Sequence, residues 1–195
     1  MEKLCEELKA IGSRVKNTGL TLTTVYFGGG TPTILSAEQL DRVCTAVKEN
    51  FDLSRLKEYT VEAGRPDTIT REKLKVLRKH NISRISINPQ TLNDEVLEAI
   101  GRKHTAKEIE DCFLTAREEG FDNINMDLIA GLPGDTVAGF CSTIDRIVKM
   151  NPENVTVHTL SIKRSAKYGA NPEERKKALE LTQQVGQMVS YAQKK

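Results

Sequence analysis

The chain has 195 residues, which is enough for one sizeable hydrophobic core and predicts a single domain. Its 29 basic and 27 acidic residues leave a formal charge of +2, and with four Tyr, five Phe and no Trp it offers few stacking surfaces, so nucleic acid is not expected as a partner. No apolar run reaches membrane-spanning length, and we predict a soluble, cytoplasmic protein with no membrane partner.

The chain begins with a pattern that is typical of an amphipathic helix. Leu4, Leu8, Ile11 and Val15 recur at helical spacing between charged residues. Charges interrupt the apolar residues throughout, so this segment is not a signal peptide.

Strand-like and helical patterns then alternate along the chain. The predicted strands cover residues 21–27, 58–63, 84–88, 123–129 and 154–160. Helical apolar spacing separates them, and the side chains of Ser36, Thr70, Asn93 and Thr105 mark predicted helix starts. A last helix is predicted from residue 172 to the end. Alternation of this kind predicts an α/β fold with a parallel sheet.

Five such units fall short of the eight in a complete barrel. We predict a partial TIM-type (β/α) barrel with about five or six parallel strands, open where a first strand is missing. A complete doubly wound domain fits the pattern as well. In either architecture the ligand site lies beyond the carboxyl ends of the strands.

Polar groups and glycines collect at those ends. The predicted strands lead into Gly28-Gly29-Gly30-Thr31, hold Glu62, lead into Gln90, hold Asp127, and lead into Ser161. Each feature alone has a purely structural explanation, such as a tight turn or a solvated carboxylate. Because several strands place such a group at one edge, we predict a ligand site there.

The sequence VYFGGGTP does not fit the common phosphate-binding loops. It lacks the Lys-Ser/Thr pair of a P-loop. Thr33 occupies the position of the third glycine of the dinucleotide fingerprint, and Pro32 removes an amide that a pyrophosphate would use. A bare glycine edge that offers carbonyls suits an ammonium group instead.

The four cysteines are Cys5, Cys44, Cys112 and Cys141, and no two form a CxxC pair. Neither a metal site nor a disulfide framework is predicted. Cys44, Cys112 and Cys141 fall on apolar helix stripes, which favours buried free thiols.

Four motifs in order carry a resemblance to a known family. VYFGGGTPTIL, VEAGRPDTI, ISINPQTLNDEVLEAIGRKHT and NINMDLIAGLPGDT together resemble the radical S-adenosylmethionine (SAM) enzymes, over about residues 20–165. Within that superfamily they are most similar to the oxygen-independent coproporphyrinogen III oxidase group of HemN and HemZ type.

This resemblance implies SAM as a cofactor and assigns residues to its methionine end. Gly29, Gly30 and Thr31 would contact the ammonium group, and Glu62 would supply negative charge nearby. Arg102 would pair with the carboxylate, a bidentate role suited to guanidinium geometry.

The resemblance also assigns the other end of the cofactor. Gln90 and Asp127 would hold the ribose hydroxyls, and the segment around Ser161 would meet the adenine. No catalytic residue is assigned.

The family holds a [4Fe-4S] cluster with a CxxxCxxC loop, which this sequence lacks. We therefore expect the chain to be the central part of a longer protein, to hold no cluster and to be inactive alone. The open barrel edge predicts self-association.

For the whole protein the resemblance implies oxidative decarboxylation of the propionates of coproporphyrinogen III in haem biosynthesis, with a porphyrinogen substrate and an electron donor for the cluster. A haem chaperone on the same scaffold is the alternative. A barrel lyase without radical chemistry would need a lysine or a metal set at the strand ends, and neither is evident.

Overall fold

The computed structural model describes residues 1–160 and 172–195. Its α-helices are α1 Glu2–Lys16, α2 Ala37–Asn50, α3 Arg71–Lys79, α4 Asp94–Ala99, α5 Ala106–Glu118, α6 Val137–Met150 and α7 Pro172–Ala192. Its strands are β1 Thr24–Phe27, β2 Glu58–Gly64, β3 Arg84–Gln90, β4 Ile124–Ala130 and β5 Asn154–Thr159. Short 3-10 turns at Pro32–Ile34 and Pro66–Thr68 follow β1 and β2.

The strands form one sheet in the order β1-β2-β3-β4-β5, and β1 to β3 pair in parallel. In this sheet β1 and β5 each have one neighbour among the described strands, so the sheet is open. The predicted α/β fold is confirmed, with five strands. Each predicted strand is found within a few residues of its expected bounds.

The side chains expected to begin helices do so. The Ser36 hydroxyl accepts a hydrogen bond from the Gln39 amide, and the Gln39 side chain accepts one from the Ser36 amide, which is a complete capping box. The hydroxyl of Thr70 and the side-chain oxygen of Asn93 accept bonds from the first turns of α3 and α4. At the start of α5, the Thr105 hydroxyl accepts a bond from the Glu108 amide, and the Glu108 carboxylate accepts one from the Thr105 amide.

The chain divides into two compact units. The first unit comprises Met1–Asn88 and Asp111–Asn125, and the second comprises Pro89–Glu110 and the described residues from Met126 onward. Strands β2, β3 and β4 supply fully buried apolar side chains that alternate with polar ones; these are Val61, Ala63, Ile85, Ile87, Ile124, Met126 and Leu128. That the whole chain is one domain stays a prediction.

The predicted helices α1 and α6 are present, and three of their apolar side chains remain exposed. Leu4 and Ile11 on α1 are more than two-fifths exposed. The buried residue of this helix is Gly12, which packs closely on α2: a Cβ there would lie 2.4 Å from the Asn50 carbonyl oxygen. Val148 on α6 is also exposed, since it lies about 100° around the helix from the buried Ile147.

None of the helices in the described part of the chain is both long and apolar enough to cross a membrane.

Candidate functional site

Three consecutive glycines follow β1 in the first unit, and each has a different surrounding. A Cβ on Gly28 would lie 2.2 Å from a ring carbon of Tyr26 and 2.8 Å from Glu62 Oε2. Gly29 has a φ of +88°, a conformation that side chains other than glycine rarely adopt. A Cβ on Gly30 would meet no described atom within 4 Å, and its φ is not positive. The described residues therefore account for Gly28 and Gly29, but they do not account for Gly30.

The turn after β2 lies against this glycine turn. A Cβ on Gly64, whose φ is +71°, would come 2.9 Å from the Thr31 methyl group. The pairing of β2 with β3 shifts register between Glu62 and Gly64, an irregularity that is frequent beside functional sites. The first unit thus brings together Thr31, the glycines and Glu62.

A chain of hydrogen bonds leads to Glu62 along the polar face of the sheet. The Asn125 side-chain amide donates to Ser86 Oγ (3.0 Å), and the Ser86 hydroxyl donates to Asn88 Oδ1 (2.9 Å). Asn88 Nδ2 donates in turn to Glu62 Oε1 (3.3 Å). Glu62 Oε2 faces Gly28, so the carboxylate is oriented toward the glycine turn.

This arrangement fits the ammonium group implied by the sequence motifs. It offers a fixed carboxylate beside backbone with no side chains, and open space at Gly30. An ammonium group can donate charge-assisted hydrogen bonds to a carboxylate and to backbone carbonyls.

Gln90 lies in the second unit, at the end of β3. It is buried and has a φ of +70°, which is uncommon for a residue other than glycine. Strained backbone of this kind concentrates at ligand sites and is held there by its surroundings.

The residues after Gln90 are anchored on α6. The Thr143 hydroxyl accepts a bond from the Leu92 amide (3.2 Å) and lies 3.4 Å from the Thr91 hydroxyl. Arg146 donates to the Leu92 carbonyl (2.9 Å) and forms an ion pair with Glu110 (2.7 Å).

The remaining predicted residues of this unit lie on separate elements. Arg102 lies three residues after the end of α4; its amide donates to the Leu97 carbonyl (2.9 Å), and Gly101 before it has a φ of +73°. Asp127 is half-buried on β4, between the fully buried Met126 and Leu128. Ser161 lies outside the described residues.

Three of the four cysteines have thiols that are hard to ionise. Burial raises the pKa of Cys44 to about 11 and that of Cys112 to about 12, and it also raises the pKa of Cys141. All four are free thiols. Cys141 is only half-buried, so the prediction of full burial is wrong for it.

Among the described residues, no three His, Cys, Asp or Glu side chains are grouped so that they could hold a metal ion. The cysteines therefore do not fit an iron–sulfur cluster in this chain.

The sequence pattern did not single out Ser86, Asn88 and Asn125 as a connected network. The signal was present, since Ser86 and Asn88 alternate with buried isoleucines along β3 and so share a face with Glu62.

Comparison with protein families gives a match to the Radical SAM superfamily over residues 2–147. A similar curated protein is the oxygen-independent coproporphyrinogen-III oxidase-like protein HemZ of Bacillus subtilis, 46% identical over 187 residues, which are 95% of this chain and 37% of that protein. The heme chaperone HemW of Lactococcus lactis is 41% identical over 139 residues, 71% of this chain and 36% of that protein.

Among solved structures, coproporphyrinogen III oxidase (HemN) from Escherichia coli matches with a TM-score of 0.71 and 27% identity. The match covers 93% of this chain and 46% of that protein. The chain thus spans less than half the length of each of these relatives.

Proposed function

Because this chain belongs to the radical SAM superfamily, we propose that it is the SAM-binding core of an oxygen-independent coproporphyrinogen III oxidase. The superfamily implies SAM and a [4Fe-4S] cluster as cofactors. The proposal for the substrate rests on the similarity to HemZ and HemN.

The glycine turn beside Glu62 is the main observation in support of SAM binding. Gly30 has room for an approaching group, and the Glu62 carboxylate is fixed by Asn88. In this proposal Gly29, Gly30 and Thr31 contact the cofactor's ammonium group, and Glu62 balances its charge. A Cβ on Gly30 would occupy the space that the cofactor needs.

In the same proposal Arg102 binds the methionine carboxylate, and Gln90 and Asp127 bind the ribose hydroxyls. Ser161 is proposed to lie near the adenine. The positive φ of Gln90 supports a binding role, because backbone strain needs compensation from the surroundings.

When bound and reduced, SAM would supply a carbon-centred radical able to remove a hydrogen atom from a propionate side chain. Formation of the vinyl group would then require loss of CO₂ together with transfer of one electron to an acceptor. The residues of this chain bind and orient the cofactor and exclude water from it. The cysteines of this chain do not supply the ligands of the cluster. We propose that the chain alone is inactive and that an electron donor serves the whole protein.

A haem chaperone is the second candidate, because HemW of Lactococcus lactis is 41% identical to this chain. The site described above would serve either protein.

A cytoplasmic location also stays a prediction.

The full-length protein distinguishes the two candidates under anaerobic conditions. With SAM, a reductant and coproporphyrinogen III, the oxidase forms vinyl products that mass spectrometry detects, and it binds haem weakly. Tight, stoichiometric haem binding without decarboxylation would establish the chaperone instead. The Arg102→Ala variant should lose decarboxylation in the first case, whereas a Lys103→Ala control should retain it.

A further inference from the structure

Thr33 is fully buried in the first unit, where the dinucleotide fingerprint would have a glycine. Its hydroxyl donates to the carbonyl of Ala63 at the end of β2. Its hydroxyl oxygen also lies 2.6 Å from that of Thr68, and the Thr68 hydroxyl donates to the Arg65 carbonyl (2.8 Å). One side chain thus joins the turn after β1 to the turn after β2.

Lys73, in the first turn of α3, joins the same two turns from the other side. Its ammonium group donates to the Thr33 carbonyl (2.5 Å) and to the Thr68 carbonyl (2.9 Å). Burial lowers the pKa of Lys73. Among the described residues no carboxylate forms an ion pair with it, so its charge is directed at backbone carbonyls of the two turns.

These two bonds satisfy an ammonium group that is partly buried. Hydrogen bonds from a charged donor are stronger than neutral ones, and the cost of partly burying an ammonium group must be offset by them. The bond from Lys73 fixes the carbonyl of Thr33, two residues after Thr31. The bonds of Lys73 therefore restrain the segment that begins with the three glycines. Glycine loses more backbone conformational freedom on ordering than any other residue.

We infer that Thr33, Thr68 and Lys73 are positioning residues that hold the glycine turn against the end of β2. This loop clamp keeps Gly30 and the Glu62 carboxylate at a fixed separation, ready for the ammonium group of SAM. The inference rests on the proposed function for its ligand, whereas the clamp itself rests on the hydrogen bonds. A turn held in its binding conformation loses less entropy when the ligand arrives.

Two substitutions remove the clamp with little change in side-chain volume. Thr33→Val removes the hydroxyl, and Thr33→Ser retains it as the matched control. Lys73→Met removes the ammonium group, and Lys75→Met is its control, because Lys75 is an exposed lysine on the same helix.

SAM affinity is measured by equilibrium dialysis with the full-length protein, and hydrogen exchange of residues 28–35 is followed by mass spectrometry. We expect Thr33→Val and Lys73→Met each to weaken SAM binding about tenfold, the size of one or two lost hydrogen bonds. Exchange of residues 28–35 should accelerate in both variants, while that of β4 stays unchanged. Thr33→Ser and Lys75→Met should bind SAM like the unaltered protein.

Unchanged SAM affinity in both clamp variants would overturn the inference. So would an acceleration of exchange in β4 equal to that in the turn, since it would mean a general loss of stability. If the unaltered protein does not bind SAM, the proposed function fails, and the exchange data alone then support or refute the clamp. Thr68→Val, which leaves Thr33 and Lys73 in place, should show a smaller effect in both measurements.

Discussion

Gly28, Gly29 and Gly30 lack side chains for different physical reasons, and substitutions can separate them. At Gly28 the neighbours Tyr26 and Glu62 occupy the space, and at Gly29 the backbone conformation excludes a Cβ. Gly30 faces open space with an ordinary φ. At Gly30, none of the described residues accounts for the lack of a side chain.

Gly30→Ala should therefore leave stability unchanged and weaken SAM binding. The methyl group meets no described protein atom, so the thermal midpoint should not fall. By contrast, Gly28→Ala should lose about 1 kcal/mol through displacement of Tyr26 and Glu62. Calorimetric titration with SAM and a thermal melt test both variants. A Gly30→Ala protein that binds SAM with full affinity would remove the case for this turn as the ammonium site.

Arg102 tests the other end of the methionine moiety. If its guanidinium pairs with the carboxylate, Arg102→Ala loses a charge-assisted bond worth about 1.5–3 kcal/mol, so SAM affinity should fall about tenfold to a hundredfold. The matched control is Lys103→Ala, at an exposed neighbouring cation. Equal affinities for the two variants would mean that Arg102 has no role in binding.

The buried cysteines should resist alkylation in the folded protein. The pKa values of about 11 and 12 at Cys44 and Cys112 leave very little thiolate at pH 8, and the thiolate is the form that reacts. With iodoacetamide, peptide mapping should find Cys5 modified first, and Cys44 and Cys112 modified only after denaturant is added. Modification of Cys44 in the native protein at the rate of Cys5 would contradict this burial.

At the scale of elements, local sequence signals predicted the strands and the helix starts well. The capping box at Ser36 and the alternation of polar and buried residues on β3 depend on neighbours in sequence, so they can be recognised without the fold. The exposure of Leu4 and Ile11 could not be predicted, because it depends on where α1 meets α2. The loop clamp was missed for the same reason, since Lys73 contacts Thr33 across 40 residues of chain.

Asp41, at the contact of α2 with α3, is expected to make the stability of the chain depend on pH. Hydrogen bonds from Lys79 and His80 lower the pKa of Asp41. A carboxylate with a lowered pKa in the folded state contributes stability above its unfolded pKa of about 3.9, and the contribution is lost as pH falls through the folded value. Because Asp41 is about one-third exposed, the effect should be small.

Denaturant unfolding between pH 3 and pH 7 checks this contribution. Asp41→Asn should be less stable than the unaltered chain at pH 7, and the difference should shrink toward pH 3. A constant difference across this range would show that the ionisation of Asp41 does not contribute.

For the molecule as a whole, the open sheet exposes apolar groups near β1. In the described structure β1 pairs only with β2, Tyr26 is 56% exposed, and Leu20 and Ile34 are about 70% exposed. Strand edges of this kind pair readily with other chains, and charged residues, lysine in particular, prevent it. We therefore expect the 195-residue chain to self-associate through β1.

Tyr26→Lys tests this expectation, because it places a charge on the edge strand. Sedimentation velocity at increasing concentration should show association of the unaltered chain and a monomer for Tyr26→Lys. The matched control is Leu114→Lys on α5, where the replaced side chain is also 56% exposed but belongs to a helix, so association should persist. If Leu114→Lys abolishes association as fully as Tyr26→Lys does, general surface hydrophobicity is the cause and the edge is not. If the unaltered chain is monomeric at all concentrations, the predicted self-association is wrong.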